Sequence, residues 1–122
     1  MPKFERFEDI PIWQDSRVLV KEIYAVTRIG DDSKDFGLRD QIQRALVSIM
    51  TNVAEGFERR STTEFIQFLN YAKASAGEVR SLPYVSLDAG YIEQSTFAQL
   101  GNQAIELSKA IAGFVKYLKT LS

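Results

Sequence analysis

Few side chains in this sequence could do chemistry. Glu55 and Glu58 stand one helical turn apart, close enough to share a face. Paired carboxylates inside a helical bundle can hold two iron or manganese ions, but that site also uses a Glu-x-x-His motif. The chain of 122 residues has no histidine and no cysteine. The commonest general base, the thiolate nucleophile and the imidazole and thiolate metal ligands are all excluded. Arg59 follows Glu58 directly, so the plain reading of the acids is a solvated or ion-paired cluster. Ser48, Thr51 and Ser75 have no histidine to activate them. A serine–lysine arrangement stays open, but no spacing positions one. A glycine-rich phosphate loop must follow a strand, and no strand pattern is present. The sequence is therefore expected to carry no catalytic residue, no bound metal or cofactor, and no small-molecule substrate.

The cations offer different chemistry. Lys73 and Arg80 are seven apart, as are Lys109 and Lys116, with Lys119 close by; Arg59 and Arg60 form a pair. A stripe of this kind can track a phosphate backbone. Tyr71, Tyr84, Tyr91 and Tyr117 could stack on bases. The competing reading is an ordinary solvated helix face with core-edge tyrosines, and it is the preferred one. The net charge of -1, from 15 basic and 16 acidic residues, gives no bulk attraction for nucleic acid.

The elements that position these residues are helices. Leu38, Ile42, Ala45, Leu46, Ile49, Val53 and Phe57 recur at helical spacing and make one apolar stripe. A polar stripe, Gln41, Arg44, Ser48, Asn52, Glu55 and Arg59, runs roughly 120° away on a helical wheel. Val47, Met50 and Ala54 widen the apolar arc beyond what one core needs. That arc and the polar stripe beside it predict a self-association surface, with Gln41, Arg44, Val47, Ser48, Met50, Asn52, Ala54, Glu55 and Arg59 as its candidate residues. Arg44 and Glu55 are its candidate charged partners.

Four helices are expected, over about 11–29, 37–59, 62–90 and 95–121. Pro11 suits a first turn, and Gly30 supplies a stop. Phe4, Phe7 and Ile10 should tuck onto the bundle end. The first helix turns Ile12, Ser16, Leu19, Val20, Ile23 and Thr27 to one face. Ser61-Thr62-Thr63-Glu64 is a capping box. It starts the third helix just after the second ends, so the two form an antiparallel hairpin. Near that turn, Gly56 should face Phe65, a residue without a side chain opposite a large ring. Pro83 should kink or split the third helix, and Gly90 makes a plausible C-cap. Phe97, Leu100, Ala104, Leu107, Ile111, Phe114, Leu118 and Leu121 alternate steps of three and four along the last helix. The fold class is all-α, an up-down-up-down antiparallel four-helix bundle forming one domain over residues 1–122. The N-terminal residues lack a signal peptide's apolar run, and no stretch is apolar for long enough to span a bilayer. The absence of cysteine fits a reducing compartment. A soluble, cytoplasmic protein is expected.

Leu38-x-x-Gln41-Ile42-x-Arg44-Ala45-x-x-Ser48-Ile49-x-x-Asn52-Val53-Ala54-Glu55-Gly56-x-x-Arg59 resembles the signature of the 23S rRNA intervening-sequence proteins, a family of four-helix bundles. The likeness extends upstream through Phe7-x-Asp9-Ile10-x-Ile12-Trp13-Gln14. Downstream it includes Phe65-x-x-Phe68-Leu69-x-x-Ala72-x-Ala74-Ser75-x-x-Glu78 and Gly90-Tyr91-Ile92. Ala74 stands where the family often has glycine. The resemblance implies a homopentamer. Some similar proteins are encoded within insertions in 23S rRNA genes, and another is the accessory subunit of diversity-generating retroelements. The expected role is a non-enzymatic, oligomeric scaffold or adaptor for a protein or ribonucleoprotein partner, with no membrane association. The alternative is an accessory protein that binds RNA or DNA through Arg59, Arg60, Lys73, Arg80, Lys109, Lys116 and Lys119.

Overall fold

Ile10 is fully buried and holds an extended backbone, so the chain enters its first helix at a fixed angle. The computed structural model describes residues 4–28 and 34–121. A short 3-10 turn, Phe7–Asp9, precedes Ile10, and Phe4 and Phe7 pack against the core beside it. Helix α1 is Pro11–Thr27, with Pro11 in its first turn. Its inward residues are Ile12, Ser16, Leu19, Ile23 and Thr27, with Val20 half-buried. Two of these are hydroxyls that must find acceptors inside the bundle. Ser16 donates to the Ile12 carbonyl at 2.6 Å and Thr27 to the Ile23 carbonyl at 2.9 Å. The expected helix end at Ile29 and stop at Gly30 lie outside the described residues.

Helix α2 is Phe36–Phe57. Asp35 caps it, its carboxylate accepting the Leu38 N–H at 3.1 Å. Helix α3 is Thr62–Ser81, capped by Ser61, whose hydroxyl oxygen accepts the Glu64 N–H at 3.1 Å. Glu64 Oε1 accepts from the Ser61 hydroxyl at 3.4 Å, while Oε2 lies 3.9 Å from Arg59.

The helix expected over 62–90 is split at Pro83, the second of the two outcomes expected there. Leu82 still donates to the Glu78 carbonyl at 2.9 Å, but Pro83 has no N–H to give, so the ladder breaks there and α4, Pro83–Asp88, starts afresh with the proline in its first turn. Leu82 keeps helical angles, φ −61° and ψ −38°, so its backbone does not turn out of the helical conformation. Gly90 ends α4 at φ +78°. Its N–H bonds the Leu87 carbonyl at 3.0 Å and the Tyr91 N–H bonds the Ser86 carbonyl at 2.8 Å, a Schellman closure.

Helix α5 is Gln94–Lys119, starting just before the expected Ser95 because the Glu93 carbonyl takes the Phe97 N–H at 3.0 Å. Beyond Ile111 the buried residues are Val115 and the expected Leu118, with the expected Phe114 packed against the edge of the core. Phe114 is half-buried, and Leu121 lies past the helix end, 44% exposed.

The long helices pack in the cyclic order α1–α2–α3–α5, with α4 lying against α3 and α5. This is an all-α four-helix bundle, and there is no strand among the described residues. Its core is aliphatic through the middle, with Leu46, Ile49, Leu69, Ala72, Ala76 and Ile111 fully enclosed. Rings gather at one end. Phe65 sits 6.1 Å from Phe57 and 5.7 Å from Phe114, which in turn stacks on Phe4 at 6.1 Å. None of the helices is long and apolar enough to cross a membrane.

Candidate functional site

The polar stripe of α2 divides into two parts. The first turns toward α3 and is bonded within the chain. Ser48 and Ser75 share a hydrogen bond at 3.0 Å, and Asn52 Nδ2 donates to both the Ser48 carbonyl at 2.8 Å and the Ser48 hydroxyl at 3.0 Å. The Ser48–Ser75 bond joins α2 to α3, and Asn52 braces Ser48 from within α2. Ser48 and Ser75, weighed above as nucleophiles, spend their hydroxyls here.

The second part faces solvent. Gln41, Arg44 and Glu55 are exposed, and no hydrogen bond or ion pair within the described residues engages them. Arg44 and Glu55 are eleven positions apart, about 16 Å along a helix axis, too far to reach each other on one helix. Eleven residues are also three turns plus about 20°, so the two charges share one line. Between them on that line stand Ser48 and Thr51, short and uncharged. Val47 borders it, 37% exposed.

Met50 and Ala54, the other residues of the wide apolar arc, are half-buried by their own chain. The exposed apolar strip is therefore narrower than the wheel implies, and Val47 is its open part. Arg59 turns away from the stripe, with its guanidinium 4.6 Å from the Phe68 ring centroid and 3.9 Å from Glu64. Beside Arg44 a cleft of about 610 Å³ opens between α1 and α2, lined by Tyr24, Asp40, Gln43, Arg44, Val47, Ser48 and Thr51. Gln43 donates to Thr27 across its base at 3.0 Å. Sequence alone missed Tyr24 and Asp40, since nothing in their spacing says which residue of α1 overhangs α2.

The cations do not gather. The Phe65–Phe114 contact fixes the antiparallel register of α3 and α5, so Arg59, Arg60, Lys116 and Lys119 share one end. Arg80 lies toward the other end, in a groove where Tyr84 packs edge-on against Phe97 at 4.7 Å. Lys73 lies exposed between the ends, and Lys109 is 3.9 Å from Glu106. Glu64, Glu78 and Glu106 interrupt the run along these helices. The tyrosines are dispersed as well. Tyr91 donates to Asp35 at 3.2 Å, Tyr71 accepts from Gln67 at 2.8 Å, and Tyr117 packs on Phe114. Glu55 and Glu58 are exposed, and among the described residues no group of three or more acids is placed to hold a metal ion.

Fold and face together define a four-helix bundle protein that presents the charged line of one helix to solvent. The chain belongs to the 23S rRNA-intervening sequence protein family, whose model matches residues 8–113. Its fold is similar to that of a protein of unknown function from the S23 ribosomal protein family of Bacteroides thetaiotaomicron VPI-5482. The two superpose with a TM-score of 0.78 at 24% sequence identity, over 86% of this chain and 98% of that one. No curated protein sequence matches the chain.

Proposed function

We propose that this protein is a non-enzymatic scaffold that works as a homo-oligomer, with copies meeting through the outer face of α2. The observation that carries this reading is the open Val47 beside Arg44 and Glu55, two charges with no partner among the described residues. Leaving them so in a monomer gains little, whereas a contact between copies gives each a counter-charge. Five is the number of copies that the family resemblance implies. A low net charge limits repulsion between them. The absence of a histidine or cysteine, and the mutual bonding of Ser48 and Ser75, support a role in assembly over catalysis. A scaffold of this kind presents several identical bundle surfaces to one partner, multiplying a weak contact by avidity.

Light scattering on size-separated protein tests the reading, with Val47→Asp as the comparison. Val47 is exposed enough that an aspartate leaves the bundle folded, which circular dichroism checks. In a buried contact an unpaired carboxylate costs several kcal/mol, so the variant dissociates. A wild type that stays monomeric across a wide concentration range overturns the proposal.

A further inference from the structure

We infer that the groove between α1 and α5 takes a basic helical segment of a partner protein, with an aliphatic side chain of that segment over Val18 and a cation to either side, against Asp15 and Glu22. The inference rests on the scaffold reading and names the face that receives the partner. That face uses α5, which lies diagonally across the bundle from α2. Asp15, Val18 and Glu22 follow one another at steps of three and four, so they share one edge of α1. Gln103, Glu106 and Ala110 do the same on α5. The two helices run antiparallel, since Phe4, just ahead of α1, stacks on Phe114 near the end of α5. A groove of about 470 Å³ opens between these edges, with the buried Leu19 and Leu107 in its floor. Val18 stands in it 53% exposed, more open than Val47 on α2 at 37%.

The walls of the groove are acidic. Asp15 is exposed and has no ion pair among the described residues. Glu106 has the exposed Lys109 at 3.9 Å, a pair worth little in water. Glu22 Oε2 and Gln103 Oε1 are buried, and no donor reaches either oxygen among the described residues. Such acceptors cost stability until a donor arrives. Both side chains are half-buried, so rotation brings either oxygen to the groove. Arg17 and Lys21, the cations of α1, lie beyond Val18 in a separate cleft with Trp13. An occupant of the groove must bring cations and cover apolar surface at once. A helix with lysines or arginines seven positions apart does both. Its cations match the seven-residue spacing of Asp15 and Glu22, two turns of α1, and an aliphatic residue between them lies over Val18. A free polyamine answers the acids but leaves Val18 wet.

A labelled synthetic helical peptide, with two lysines seven apart and a leucine between them, is the probe. It is titrated into the full chain and followed by fluorescence anisotropy. Binding should weaken with added salt. The double variant Asp15→Asn/Glu22→Gln should weaken it about tenfold or more, and Val18→Arg as much. Arg17→Gln, on the other edge of α1, should leave it unchanged. Val18 is exposed, so circular dichroism should show intact bundles. Glutamates in place of the peptide's lysines should abolish binding, and serine in place of its leucine should weaken it. No binding by the wild type overturns the inference. So do variants that bind like the wild type, a serine peptide that binds as well as the leucine one, or spermine that displaces the peptide at equal concentration. Light scattering separates the two readings. A monomeric wild type that binds the peptide overturns assembly through α2 and supports the groove, whereas an oligomer that ignores the peptide overturns the groove alone.

Discussion

The hydrogen that serves Gly56 as a side chain sets how closely α2 and α3 approach. A Cβ there would lie 2.8 Å from Phe65 Cδ1 and 2.8 Å from Phe68 Cβ. The first neighbour is a ring held between Phe57 and Phe114, and the second is anchored directly to backbone. Neither gives way cheaply. In an open helix Gly→Ala gains about 1 kcal/mol. Here overpacking outweighs that gain: Gly56→Ala should destabilise the fold by about 1 kcal/mol and Gly56→Leu by about 1–3 kcal/mol. Urea denaturation reads both, and an alanine variant with a higher midpoint would show that the helices part freely. The pairing of Gly56 with Phe65 was legible in the sequence because the Ser61–Glu64 cap fixes the turn and hence the register across it. Phe68 was not, since its approach depends on how far α3 leans over α2.

Between helices, the decisive contacts are at their ends. Asp35 caps α2 through one oxygen and receives the Tyr91 hydroxyl on the other, joining the start of α2 to the segment that follows α4. Asp35→Ala should cost about 1 kcal/mol for the cap alone. Asp35→Asn keeps an acceptor for Leu38 and should stay close to wild type. Equal denaturation midpoints for Asp35→Ala and wild type would remove the cap from the account. Sequence revealed the cap at Ser61 because glutamate follows at the third position. It did not reveal Asp35, because Asp31, Asp32 and Ser33 offer the same chemistry and Leu38 completes no box. The interruption at Pro83 was legible, since a missing N–H breaks a helix ladder in any context. The start of α5 lies one residue before the expected position for the converse reason: the bond that opens the helix comes from the Glu93 backbone carbonyl, a group that every residue carries.

At the scale of the whole bundle, periodicity alone carried the architecture, because one apolar stripe per helix leaves few ways to close a core. The candidate surface was only half legible. A wheel gives each residue an angle about its own axis, but not the neighbour that covers it. Ser48 and Asn52 were therefore grouped with Arg44 and Glu55, although Ser75 draws the first pair inward. The close fit at Gly56 also bears on the order of folding. Four residues join α2 to α3, and Gly56 meets Phe65 only nine positions along the chain, whereas α1 and α5 must find each other from its opposite ends. Contacts between near neighbours in sequence cost little chain entropy to close, so the α2–α3 hairpin should dock in the rate-limiting step. In stopped-flow experiments Gly56→Ala should place more than about half of its lost stability in a slower folding rate. Leu118→Ala, late in α5, should act mainly by speeding unfolding. If Gly56→Ala leaves the folding rate unchanged and only hastens unfolding, the notch is filled after the barrier, and the bundle is nucleated elsewhere.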